Sequence, residues 1–293
     1  MTEGVQMRSR TIGVATVSAI GLGGMPMSIE GRPDEARSIA TIHAALDAGV
    51  TFIDTADAYH LKPGETGHNE RLIAKALASY PGDSNSVLVA TKGGHVRPGD
   101  GSWRVDGSPA HLREAAEASL KALGVAAIGL YQFHRPDPKV PYADSVGALR
   151  ELLDEGKIRM AGISNATIAQ IDIAREVLGE GNLASVQNQL SPAFRSSEAE
   201  LRHCATHGIA FLPYSPLGGI GRAGKLGARH AAFQEVADSH GVSPQQVTLA
   251  WLLALAPVVV PIPGASRPES ITDSAQAADL VLTDAEVDRL TKG

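Results

Sequence analysis

From residue 19 onward, short apolar runs rich in Val, Ile and Leu alternate with longer stretches whose apolar residues recur at helical spacing. Repeated βαβ units produce this pattern, because a strand buried on both faces reads as a continuous apolar run and the crossover after it reads as an amphipathic helix. The runs predict eight strands, at 19–22, 52–54, 87–91, 128–133, 160–163, 185–187, 210–213 and 258–262, each followed by a loop and a helix. Polar punctuation agrees: Pro33-Asp34, Ser108-Pro109 and Ser243-Pro244 read as N-caps with proline at the first helical position. Gly49, Gly124, Gly156 and Gly208 fall where helices should end. Ahead of the first run, RTIGVATVSAIGLGG alternates around Gly13 and predicts a short N-terminal hairpin closing the bottom of a barrel.

Alternation alone also suits an open doubly wound sheet. Its dinucleotide fingerprint, G-x-G-x-x-G running from the first strand straight into a helix, does not match AIGLGGMPMS, which leads into a loop before the helix signal at Pro33. The expected fold is therefore α/β, a (β/α)8 TIM barrel, and 293 residues suit one barrel domain spanning 1–293, since such barrels run to about 250 residues before insertions. No Pro/Gly/Ser linker divides the chain.

A formal charge of −6 gives no positive field for a phosphate backbone, so nucleic acid is not an expected partner. The longest apolar stretch, WLLALAPVVVPIPGA, is broken by Pro257, Pro261 and Pro263 and is shorter than a bilayer crossing, so no membrane partner is expected either. MTEGVQMRSR lacks the apolar core of a signal peptide, and Cys204 is the single cysteine, which excludes an intramolecular disulfide and a multi-cysteine metal site. A cytoplasmic protein is expected. Oligomeric state leaves no trace in the sequence.

In a barrel the functional face lies at the C-terminal ends of the strands. Four ionisable residues fall there: Asp54 and Tyr59 in FIDTADAY, Lys92 in LVATKGG and His134 in LYQFHRP. Taken singly, each has a structural explanation as a cap, a surface aromatic, a solvated amine or a core histidine. Together they supply an acid, a phenol, an amine and an imidazole at the ends of three successive strands. Loops 60–67, 96–107, with Trp103, and 218–228 are expected to shape the pocket.

FIDTADAY, LVATKGG, LYQFHRP, AGISNA, VQNQ, PYSPLGG and IPGASRPESITDS resemble, in order, the successive motifs of the aldo-keto reductases. The resemblance implies NADPH-dependent reduction of small aldehydes or ketones, with Tyr59 as general acid, Lys92 its charged neighbour, Asp54 the partner of that lysine and His134 orienting the substrate carbonyl. A lysine beside the phenol is expected to lower its pKa. It implies a nicotinamide held by Ser164, Asn165 and Gln187 with Tyr214 stacked on it, a pyrophosphate near Ser215, Leu217 and Gly218, and an adenosine phosphate near Gly264, Ser266 and Arg267. A guanidinium suits a 2′-phosphate, so Arg267 is expected to favour NADPH. Many relatives carry Lys-Ser at Gly264-Ala265 and Arg at Ser270, so NAD stays open as a cofactor. No metal-ligand set appears. Two other readings stand beside this one: a Schiff-base aldolase acting through Lys92, and a nucleotide-binding regulatory subunit with little turnover.

Overall fold

The alternating pattern becomes a curled parallel sheet wrapped by helices, in a computed structural model that describes residues 7–292. The chain opens with an antiparallel hairpin, β1 (Ser9–Ile12) and β2 (Ala15–Ser18). Then come β3 (Leu22–Gly23), α1 (Glu35–Asp47), β4 (Phe52–Asp54), α2 (His68–Ser79), β5 (Leu88–Gly93), a second hairpin of β6 (His95–Val96) and β7 (Arg104–Val105), and α3 (Pro109–Leu123). They are followed by β8 (Leu130–Phe133), α4 (Tyr142–Asp154), β9 (Ala161–Ser164), α5 (Ile168–Leu178), β10 (Leu183–Gln187), α6 (Glu198–Thr206) and β11 (Ala210–Phe211). The remaining helices are α7 (Leu226–Arg229), α8 (Ala231–His240), α9 (Pro244–Leu255), α10 (Pro268–Gln276) and α11 (Asp284–Lys292).

Seven strands pair in parallel in the order β3-β4-β5-β8-β9-β10-β11. Residues 258–263 close the barrel between its two edges without forming a regular strand. On one side Val260 N donates to Phe211 O at 2.9 Å; on the other Gly21 N and Gly23 N donate to the carbonyls of Pro261 and Pro263, each at 2.9 Å. The expected eighth strand thus has the right path and a broken ladder, because Pro257, Pro261 and Pro263 have no N–H to give.

The helix starts follow the sequence signals with one change. Ser108 and Ser243 cap α3 and α9, accepting from His111 N and Gln246 N, with Pro109 and Pro244 in the first turn. Before α1, Asp34 itself is the cap, accepting from Arg37 N at 2.7 Å, so Pro33 precedes the helix instead of opening it. The predicted N-terminal hairpin is present. Its Ile12 and Val17 pack with Met160, Ala184 and Phe52 at the N-terminal ends of the strands, so it plugs the barrel floor.

Along each strand the side chains alternate, and three clusters record the two faces, one inside the barrel and two outside it. Phe52, Ala90 and Leu130 point into the barrel. Ile53 faces the layer of α1 and α2, while Tyr131 and Phe133 face the larger helical layer. Among the described residues, no helix is long and apolar enough to cross a membrane.

Candidate active site

The period of two carries the interior face upward from apolar to polar. Two residues beyond Phe52 comes Asp54; two beyond Ala90 comes Lys92; two and four beyond Leu130 come Gln132 and His134. The C-terminal mouth is therefore lined by the polar positions of strands whose lower halves build the core. Lys92 is fully buried. Its ammonium donates to Asp54 Oδ1 at 2.5 Å, to the Thr55 carbonyl at 2.7 Å and to the Tyr59 hydroxyl at 3.4 Å. The second carboxylate oxygen of Asp54 accepts from the side-chain amides of Gln187 at 2.8 Å and Gln132 at 3.1 Å. A buried ion pair is tolerable only when its remaining polar atoms are bonded, and here they are. Tyr59 and His134 meet edge to face, their ring centroids 5.9 Å apart.

These surroundings set the charges. Burial pulls the Lys92 ammonium down, but Asp54, with Tyr59, more than offsets this and holds the lysine above its ordinary value. Burial pushes the Tyr59 phenol up, Lys92 pulls it down, Asp54 pushes it up again, and the net direction is upward. The expectation that Lys92 would leave this phenol below its ordinary value is thereby corrected: the lysine acts in the expected sense, and desolvation outweighs it. Burial drives His134 well below its ordinary value, with Lys92, His95 and Arg135 adding in the same direction. At neutral pH the site thus holds an ammonium, a neutral phenol and a neutral imidazole.

Above these groups opens a cavity of about 760 Å³. Asp54, Tyr59 and His134 lie on its wall, along with Ser164, Asn165, Gln187, Tyr214, Ser215, Leu217, Gly264 and Ser266. Lys92 sits beneath, behind Tyr59. Gly218 and Arg267 fall outside the lining, where Gly219, Gly221 and Ser270 appear instead. Arg267 is exposed at the N-cap of α10, and its Nε donates to Ser270 Oγ at 2.8 Å.

Asn165 and Ser215 have φ of +58° and +50°, the left-handed region that non-glycine residues enter at a cost. For Asn165 local bonds offset that cost: its amide donates to the His134 carbonyl and to Ser164 Oγ, both at 3.0 Å, and its oxygen accepts from Tyr214 Oη at 2.8 Å. Gln187, expected to face a carboxamide, has its nitrogen engaged with Asp54. Oε1 is the atom it can offer a ligand.

Several contributors were not singled out from the sequence. Gln132 lies inside the quoted LYQFHRP and could have been found from its parity with His134. His95, on β6, and Arg97, just past it, follow LVATKGG, in a strand that local periodicity did not reveal. His95 lines the cavity, and Trp103 does too, as its loop suggested. Asp172, His203 and His207, on α5 and at the end of α6, bring side-chain ligand atoms within 4.8 Å of one another, with His203 Nε2 2.8 Å from Asp172 Oδ1. The fold creates that proximity, and none of the three lines the cavity.

A sequence model described as the Aldo/keto reductase family matches residues 19–292. A 6-dehydroglucose reductase of Novosphingobium aromaticivorans is 35% identical over 270 residues, covering 89% of this chain and 86% of its own. The solved structure of a glycerol dehydrogenase from Gluconobacter oxydans superposes with a TM-score of 0.82 at 30% identity, covering 97% of this chain and 94% of its own. An aldo/keto reductase from Klebsiella pneumoniae, solved in complex with NADP and acetate, gives 0.80 at 29% identity over 98% and 95% of the two chains.

Proposed function

This chain belongs to the aldo/keto reductase family, and we propose that it reduces a small aldehyde or ketone to its alcohol with NADPH, with Tyr59 delivering the proton. The observation that carries the reading is the buried chain from Asp54 through Lys92 to the Tyr59 hydroxyl, opening under a cavity opposite a neutral His134. We take residues 1–293 to act as one barrel domain. A reducing, cytoplasmic compartment, where reduced nucleotide is supplied, is the proposed location.

The residues present fit a nicotinamide nucleotide. Tyr214 offers a half-buried flat face, and beside it Gln187 offers Oε1 as an acceptor. The Ser164 hydroxyl and the Asn165 amide, bonded to their neighbours in the wall, would exchange those partners for a carboxamide. Ser215 and Leu217 open a loop whose Gly218, Gly219 and Gly221 all have positive φ, a backbone without side chains that can approach a pyrophosphate closely. The N-terminus of α10 has no side-chain cap, and Gly264, Ser266 and Ser270 lie before and in its first turn along the cavity, a setting that favours a phosphate. Arg267, one residue from that turn, is the proposed reader of a 2′-phosphate, which would require it to leave Ser270.

When bound, the reduced nicotinamide supplies the hydride that attacks the carbonyl carbon. Negative charge then develops on the carbonyl oxygen, and the Tyr59 hydroxyl gives its proton to that oxygen. Lys92 stabilises the phenolate left behind, Asp54 keeps Lys92 charged, and His134, held neutral, orients the oxygen by a hydrogen bond. His134 cannot be the acid, because it carries no surplus proton at neutral pH. The same geometry argues against the aldolase reading: the charged Lys92 gives all three of its protons to Asp54, Thr55 and Tyr59 and has no lone pair with which to attack a carbonyl.

Steady NADPH consumption with a panel of small aldehydes and ketones tests the proposal and separates an enzyme from a regulatory subunit. Tight NADPH binding with no turnover across the panel would favour the subunit.

A further inference from the structure

We infer that His95 is a second substrate-binding donor beside His134, and that the carbonyl compounds taken by this site carry an oxygen on the carbon next to the reacting one, as hydroxyaldehydes, hydroxyketones and dicarbonyls do. This rests on the carbonyl-reductase reading above. His95 lines the same cavity as Tyr59 and His134 and packs edge to face against His134, with ring centroids 4.8 Å apart and planes at 79°. In both rings Nδ1 is buried with no hydrogen-bond partner. Nε2 is therefore the ring nitrogen of each that can meet a ligand.

Both imidazoles are neutral at working pH: burial, then Arg135 and Arg97, bring His95 down to about 4, and His134 lies well below its ordinary value. A neutral imidazole has one N–H. Placing that proton on Nδ1 strands a buried donor, which is costly, so it belongs on Nε2, toward the cavity. Two donors on rings this close can each bond one of two oxygens on adjoining carbons. An isolated carbonyl can engage only the one opposite Tyr59.

His95 is also held, not merely present. Trp103 lies over its ring at 4.7 Å between centroids, and the Arg97 guanidinium lies 4.5 Å from the Trp103 ring, anchored by the His60 carbonyl and by Glu30. A ring needed only for packing would serve better as phenylalanine, which buries no unpaired nitrogen. A ligand bond at Nε2 gives the imidazole a reason to be there.

The probes are glycolaldehyde and propanal, which exchange a hydroxyl for a methyl next to the aldehyde. Their kcat/KM ratio is measured with NADPH in wild type, His95→Phe and His95→Gln, after circular dichroism and NADPH titration confirm that each variant is folded and loaded. Comparing ratios cancels the hydration of glycolaldehyde. His95→Phe should lower the glycolaldehyde-to-propanal ratio by about tenfold, the worth of one buried hydrogen bond, mostly through the KM for glycolaldehyde. His95→Gln, which keeps an amide donor near the position of Nε2, should recover part of the ratio. An unchanged ratio, or equal losses on both aldehydes in both variants, overturns the role of His95 and leaves the reductase reading standing. A wild-type protein that binds NADPH and reduces neither aldehyde nor any other carbonyl removes both.

Discussion

The Tyr59 phenol sits in dry surroundings with an ammonium behind it, and the two influences oppose each other. Tyr59→Phe keeps the ring and removes the proton, so reduction should fall by ~100-fold or more while NADPH still binds; near-normal turnover would end the assignment. The reverse reaction needs the phenolate. Alcohol oxidation with saturating NADP⁺ should therefore rise with pH, and Lys92→Met should move the midpoint further upward, since it removes the one group pulling the phenol down and leaves Asp54 pushing it up. The same variant should lose about 3 kcal/mol of stability, the scale expected when a buried charge loses its partner. A midpoint that stays in place would mean that Lys92 does not tune Tyr59. Asp54, Tyr59, Lys92 and His134 were legible because their places at or just past the strand ends and the order of the motifs mark them. The balance between burial and charge at Tyr59 was not, because it depends on how far the barrel mouth excludes water, and no spacing of residues encodes that.

Among the elements, the N-terminal hairpin and α10 work at opposite ends of the barrel. Gly13 turns the hairpin at φ +53°, and a Cβ there would lie 2.8 Å from Met160 Sδ and 3.0 Å from Ala184 Cβ. Gly13→Ala should therefore destabilise the fold by about 1–3 kcal/mol through strain and overpacking at the floor. Its kcat/KM should stay near wild type, and thermal melts with steady-state kinetics check both halves of that statement. Arg267→Ala, at the start of α10, should weaken NADPH binding by up to ~100-fold and NADH binding hardly at all, the pattern of a lost charge-assisted bond to one phosphate. Equal losses would assign the 2′-phosphate to another group. The hairpin was readable as alternation around a glycine. β6 and β7 were not, because two residues per strand are too few to show a period. With them went His95 and the clamp of Arg97 on Trp103, whose proximity exists only after the chain has turned.

For the molecule as a whole, acid should be harmful before the surface carboxylates titrate. His60, His68, His95 and His134 all sit below their ordinary value, each through burial first. The unfolded chain takes up protons at these rings as pH falls through about 6.5, whereas folded His95 does so only at about 4, so stability is lost across that window. Buried Asp57 and Glu70, both pushed up, act in the opposite sense and blunt the loss. Melts of wild type and His95→Gln at neutral pH and near pH 4.5 should favour the variant more at the lower pH; a constant gap between them would contradict the assignment. The prolines at the closing stave have a separate consequence. Gly21 and Gly23 reach across to 261 and 263 by single bonds, and the cavity beside this junction has walls on both sides of it, at Gly23 and Pro26 and at Ile262 and Gly264. A nucleotide lying there would clasp the two ends of the barrel together. Amide hydrogen exchange at those two glycines should slow on loading and become a gauge of occupancy that needs no turnover.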